Sequence, residues 1–193
     1  MITFVPGLQY VLTVATLSEI QAYGDTLGDH QFALKMLANT CGFYASKIPN
    51  YTEEHLDALK LPKWERQYFK TMGDAWQVNI IKDVATHLTE KERLAILLHE
   101  EAHVVFQHAT KINESQINNT HGMKIMDVVE FEIEADNYAA SKVGAKTVIT
   151  ALTKTIVKTC DILHNCGAEV NASNALLDSN FRSRINALES LIN

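Results

Sequence analysis

The chemistry this chain can do is concentrated in His99-Glu100-Glu101-Ala102-His103, two histidines four residues apart with a glutamate beside the first. On a helix that spacing is about 400° of rotation, so both imidazoles leave one face and can ligate one tetrahedral zinc ion. Glu100, next to the first ligand, is then placed to take a proton from a water at the metal. A second group follows. In Glu130-Phe131-Glu132-Ile133-Glu134-Ala135-Asp136, Glu132 and Asp136 are four apart and share a helix face. That suits a third ligand and a carboxylate fixing a ligand imidazole through its free N–H. Glu130 and Glu134 share a face as well, so spacing alone leaves the register open. Either motif arises by chance often enough to mean little; both in one chain is a few-per-thousand coincidence, roughly, and the pairing carries the reading.

Both groups need helices. Thr89-Glu90-Lys91-Glu92 is a capping box, and Leu94, Leu97, Leu98, Ala102, Val105 and Phe106 follow as an apolar stripe. His108, five residues beyond His103, points about 140° away on a straight helix and reads as structural rather than a ligand. For the second helix, Asp127 is the expected N-cap and Gly144 the natural residue just past its end. Between them, Thr110 to Met126 is polar and rich in Asn, and reads as a mobile loop beside the site.

Elsewhere the pattern is coarser. Val11 to Leu17 fits a strand or a buried helix. A helix is expected from Asp29 to near Gly42, a short one capped by Thr52, and another with Pro62 in its first turn. Trp76 to Val84 alternates as a strand with Trp76, Val78 and Ile80 on one side. It is read as either a core strand or an edge strand on a cleft rim, able to pair with an extended peptide. Val148, Ile149, Leu152, Ile156, Cys160 and Leu163 make a long amphipathic helix stopped at Gly167. Ser179 or Asn180 is expected to cap a last helix with Phe181, Ile185, Leu188 and Ile192 inward.

The 193 residues suit one domain, with a net charge of −6 and no basic stripe for nucleic acid. The three cysteines (Cys41, Cys160, Cys166) read as reduced thiols of a cytoplasmic protein, and a second metal site at Cys160, His164 and Cys166 as the weaker alternative. The first basic residue is Lys35, so no signal peptide is expected, nor any membrane insertion.

From about Val78 onward the chain resembles the gluzincin metallopeptidases of the HtpX and type-1 CaaX prenyl protease family. The similarity lies in Leu88 to His108, in Glu132-Ile-Glu-Ala-Asp-Asn-Tyr-Ala-Ala140 and in Arg184-Ile-Asn-Ala-Leu188. The resemblance implies an α+β, predominantly helical, zincin-like domain with a small sheet packed beside the HExxH helix. It implies Zn2+ on His99, His103 and Glu132, Asp136 supporting a histidine, and hydrolysis of peptide or protein substrates. Residues 76–193 would be the metallopeptidase core and residues 1–75 a helical part of unclear relation. The family's His-Pro-Pro is replaced by Asp178-Ser179-Asn180, which leaves the transition-state donor open among Arg184, His121, Tyr138 and His164. The alternatives are a repressor-cleaving protease of the ImmA type and a non-catalytic docking protein stabilised by its metal. Intact Glu100 argues against the last, since a structural zinc needs no general base.

Overall fold

A computed structural model describes residues 10–47, 52–58, 63, 66, 76–108, 111 and 125–192. The chain runs β1 (Tyr10–Ala15), α1 (Leu17–Thr26), α2 (Phe32–Thr40), β2 (Phe43–Lys47), α3 (Glu53–Ala58), β3 (Trp76–Ile81) and α4 (Lys82–Ala85). It continues with α5 (Glu90–Val105), α6 (Ile125–Val143), α7 (Ala145–Asn165), α8 (Ala172–Leu177) and α9 (Ser179–Ser190). The fold is α+β, mostly helical, with a three-stranded sheet of order β1-β3-β2. Among the described residues no helix is long and apolar enough to cross a membrane.

β3 is the central strand, parallel to β1 and antiparallel to β2, which overturns the edge-strand option for Trp76 to Val84. It also stops at Ile81; Lys82 to Val84 turn into α4, and the Leu17 N–H donates to Asp83 Oδ2 at 2.8 Å across that corner. The edge next to the histidine helix is β2. Gly42 starts it with φ +90, and a Cβ there would meet Val84 Cγ2 at 2.9 Å, so neither the backbone nor the space accepts a side chain. The Ile81 N–H donates to the Gly42 carbonyl at 2.7 Å. By antiparallel alternation, Tyr44 and Ser46 then bond inward to β3, while the main-chain groups of Phe43 and Ala45 turn to the free edge. Two of the three strands thus precede residue 76, alongside the helices α1, α2 and α3.

The sheet packs beside α5 through Trp76, Val78 and Val104, with Leu12, Ala45 and Leu97 against them. The larger core joins Phe43, Ile80 and Ile81 to Ile96 and Leu98 of α5, Val148 and Leu152 of α7, and Phe181 and Leu188 of α9. α5 starts at the expected capping box, the Thr89 hydroxyl accepting from the Glu92 N–H and Glu92 from the Thr89 N–H. Its buried face is Ala95, Ile96, Leu98, His99 and Ala102 rather than the whole expected stripe; Leu94 is exposed.

Three ends differ from expectation. α6 is already helical at Ile125, so Asp127 is inside it. Asp29 accepts from the Gln31 N–H, one turn before α2, and Gln31 is the N-cap. Asp178 caps α9, accepting from Asn180 and Phe181, because its carboxylate satisfies two free N–H groups at once; Ile192 beyond the helix is exposed. The Asn-rich segment to residue 124, the Pro62 helix and His121 lie outside the described residues.

Candidate metal centre

α5 brings His99 and His103 to one face, their Nε2 atoms 3.0 Å apart. α6 crosses beside them and contributes Glu132, whose Oε2 is 3.3 Å from His99 Nε2 and whose Oε1 is 3.4 Å from His103 Nε2. This is the register left open by spacing: Glu130 is exposed, Glu134 reaches His108, and Glu132 is the residue that reaches His99 and His103. Three ligand atoms, all within 4.8 Å of one another, make a group that could hold a metal ion. Among the described residues it is the one such group; Cys160 is buried in α7 while His164 and Cys166 are exposed.

Each imidazole is held from behind. His99 Nδ1 lies 2.8 Å from Asp136 Oδ1, with Asp136 fully buried. Arg184, from α9, donates to both Asp136 oxygens, Nε to Oδ2 at 2.7 Å and Nη2 to Oδ1 at 2.8 Å. Its Nη1 reaches Glu132 Oε2 at 2.9 Å, so one guanidinium joins the Glu132 carboxylate to that of Asp136. His103 Nδ1 lies 2.8 Å from Nδ1 of His108, whose Nε2 is 2.9 Å from Glu134 Oε2. His108 gets there because α5 ends at Val105 and Gln107 takes a left-handed φ of 55, folding the chain back over the helix end. A straight-helix projection does not contain that turn; His108 is not one of the three residues grouped as able to hold a metal ion.

The charges are arranged asymmetrically. Burial alone would push His99 down, but Asp136 and Glu132 outweigh it and raise it to about 10. Burial, with the positive charge at His99, pushes His103 down to about 3. Burial disfavours the charged Glu132 and Asp136 carboxylates, yet His99 and Arg184 hold both below the ordinary carboxylate range. Between them the two histidines therefore keep one positive charge, on His99.

Glu100 is buried one residue from His99 and faces the same cavity, of about 400 Å³, as His99, His103, Glu132 and Arg184. Burial pushes its carboxyl up to about 7, against the pull of the His99 charge and of the Ala45 N–H, which donates to it. Phe43, Tyr44 and Ala45 of β2 line that cavity, with Trp76, Ile96 and Leu152. β2 was not read from the sequence at all. Of the other residues named as donors, Tyr138 pairs with buried Glu101 and lines a separate surface groove, and His164 is exposed at the end of α7. Neither lines the cavity. No family model, curated protein or solved structure matches the chain.

Proposed function

We propose that the protein is a zinc-dependent endopeptidase of zincin-like fold, related to the gluzincins that its HExxH and Glu132-to-Ala140 segments resemble. The observation that carries this reading is the meeting of His99 Nε2 and His103 Nε2, 3.0 Å apart, with the Glu132 carboxylate, whose Oε2 is 3.3 Å from the first and whose Oε1 is 3.4 Å from the second. Ligands about 2.0–2.1 Å from a tetrahedral zinc stand about 3.3 Å apart, and the spacings of this donor set are close to that. The chemistry of the set fits too: two imidazoles and one carboxylate leave the fourth position open, as hydrolytic zinc sites do. Zinc held there would polarise the scissile carbonyl and acidify a water.

The chain's own residues supply the rest. Glu100, with a carboxyl pushed to about 7, is matched to take a proton from water and return it to the leaving amine near neutral pH. Arg184 is the best-placed candidate for oxyanion donor, since it alone of Arg184, Tyr138 and His164 lines the cavity. Three of its nitrogens already donate to Asp136 and Glu132, which leaves about two of its five N–H groups. With the Ala45 N–H given to Glu100, the outward main-chain groups of Phe43 and the Ala45 carbonyl suit an extended peptide lying along β2, held by ladder bonds while the side chains find the cavity. The substrate is accordingly a peptide or an extended segment of a protein, and three cysteines without a disulfide suit a cytoplasmic setting.

The test is cleavage of a mixed peptide library, read as new N-termini by mass spectrometry. Zinc-loaded protein should cleave, chelation should abolish cleavage, and added zinc should restore it. A zinc-loaded protein that cuts nothing across the library would contradict the proposal.

A further inference from the structure

The support behind His103 is built unlike the one behind His99, and no feature of the ligand set explains why a second histidine and a surface glutamate are needed. His108 is 1% exposed, and its ring is stacked on Phe131 with centroids 4.5 Å apart and planes 17° from parallel. Its two nitrogens each face one group, Nδ1 toward His103 Nδ1 at 2.8 Å and Nε2 toward Glu134 Oε2 at 2.9 Å. Two ring nitrogens at hydrogen-bond distance share one hydrogen, so one must donate and the other accept.

Metal ligation leaves one consistent arrangement. A ligating nitrogen carries no hydrogen, so with Nε2 of His103 committed to the ion, its ring hydrogen sits on Nδ1 and donates. His108 must then accept at Nδ1 and keep its own hydrogen on Nε2. That hydrogen points at Glu134, a carboxylate that only accepts. The hydrogen positions along the chain are thus fixed from the surface inward.

We propose that Glu134 and His108 form a relay that sets the tautomer and the ring orientation of His103, making both of them positioning residues for the metal centre. The inference rests on the zinc-site reading above. It assigns a role to the glutamate of α6 that faces away from the ligands, and to the histidine that follows the HExxH helix. Phe131 fixes the plane of the relay and Gln107 supplies the turn that brings it into place.

The test uses the full chain and zinc. Affinity is measured by competition with a chelator for wild type, His108→Phe, Glu134→Leu and Glu134→Gln. His108→Phe keeps a flat ring against Phe131 and removes both nitrogens; it should weaken zinc binding by about 10–100-fold. Glu134→Leu should weaken it in the same direction by about tenfold, while Glu134→Gln, whose amide oxygen still accepts, should stay within about threefold of wild type. Nitrogen NMR of histidine-labelled, zinc-loaded wild type supplies a readout that mere packing would not move and needs no variant. His103 Nδ1 and His108 Nε2 should carry hydrogens, and His108 Nδ1 should not. A hydrogen on His108 Nδ1, or zinc affinity unchanged in both His108→Phe and Glu134→Leu, would overturn the relay while leaving the zinc site standing. Wild type that takes up no zinc would overturn the site reading and the relay with it.

Discussion

The two histidines of the proposed metal site have the same chemistry and opposite surroundings. His99 is backed by Asp136, 1% exposed, which is in turn clamped by Arg184. His103 is backed by His108 and then by Glu134, whose side chain is 47% exposed. One support ends on a desolvated ion pair inside the core, the other on a carboxylate in water. The difference separates two jobs: the His99 arm ties α9, α6 and α5 together through a buried ion pair, while the His103 arm joins the end of α5 to α6 and ends at the surface. Removing a partner should therefore cost fold stability on one side and mainly metal affinity on the other.

The largest effect expected is at Arg184. Arg184→Met leaves Asp136 as a buried carboxylate beside Glu132, and breaking such a buried pair costs about 3–5 kcal/mol. Urea unfolding should show that loss, against less than about 1 kcal/mol for Glu134→Gln at its half-exposed position. Equal losses would erase the distinction between the arms.

Asp136→Asn sharpens the comparison without deleting the side chain. The amide can still accept from His99 but carries no charge, so zinc binding should weaken by about 10–100-fold without being abolished. Chelator competition measures it. Complete loss, equal to that of His99→Ala, would place Asp136 among the ligands instead.

A smaller and graded effect comes from the positive charge the two histidines keep. His99 is raised to about 10 and His103 lowered to about 3, so near neutrality His99 is the charged imidazolium and His103 the neutral imidazole. A cation entering the site must displace the extra proton of His99, so affinity should fall about tenfold for each unit the pH drops below neutrality. Calorimetry in buffers of different ionisation enthalpy, on Glu100→Gln so that the base contributes nothing, should find about one proton released. Release of none would mean that Asp136 and Glu132 do not hold His99 charged.

How much of this was legible in the chain follows from how local each feature is. Thr89 and Glu92 settle the start of α5 by a contact within one turn, and helical repeat alone then puts His99 beside His103. Glu132 needed the family resemblance, because Glu130 and Glu134 obey the same spacing and only the packing of α6 on α5 separates them. The sheet was the weak part. β2 is five residues long, and its place at the edge is set by Gly42 packing against Val84, a partner some forty residues away. One missed signal was present: Thr16-Leu17-Ser18-Glu19 is a capping box, and it starts α1 as α5 is started. His108 was legible as structural but not as a partner of His103. Its position depends on a left-handed Gln107, a conformation that residue spacing does not announce.

The central claim is that Glu100 serves as a base in peptide hydrolysis, and Glu100→Gln tests it most directly. The change keeps size and helix propensity, removes the proton acceptor, and removes the cost of burying a charge at a site that pushes the carboxyl up to about 7. The variant should bind zinc and be at least as stable as wild type. It should lose nearly all cleavage of any peptide that wild type cuts, and still retain that peptide as a bound, uncut ligand. A Glu100→Gln protein that cleaves its substrates at the wild-type rate would contradict the account.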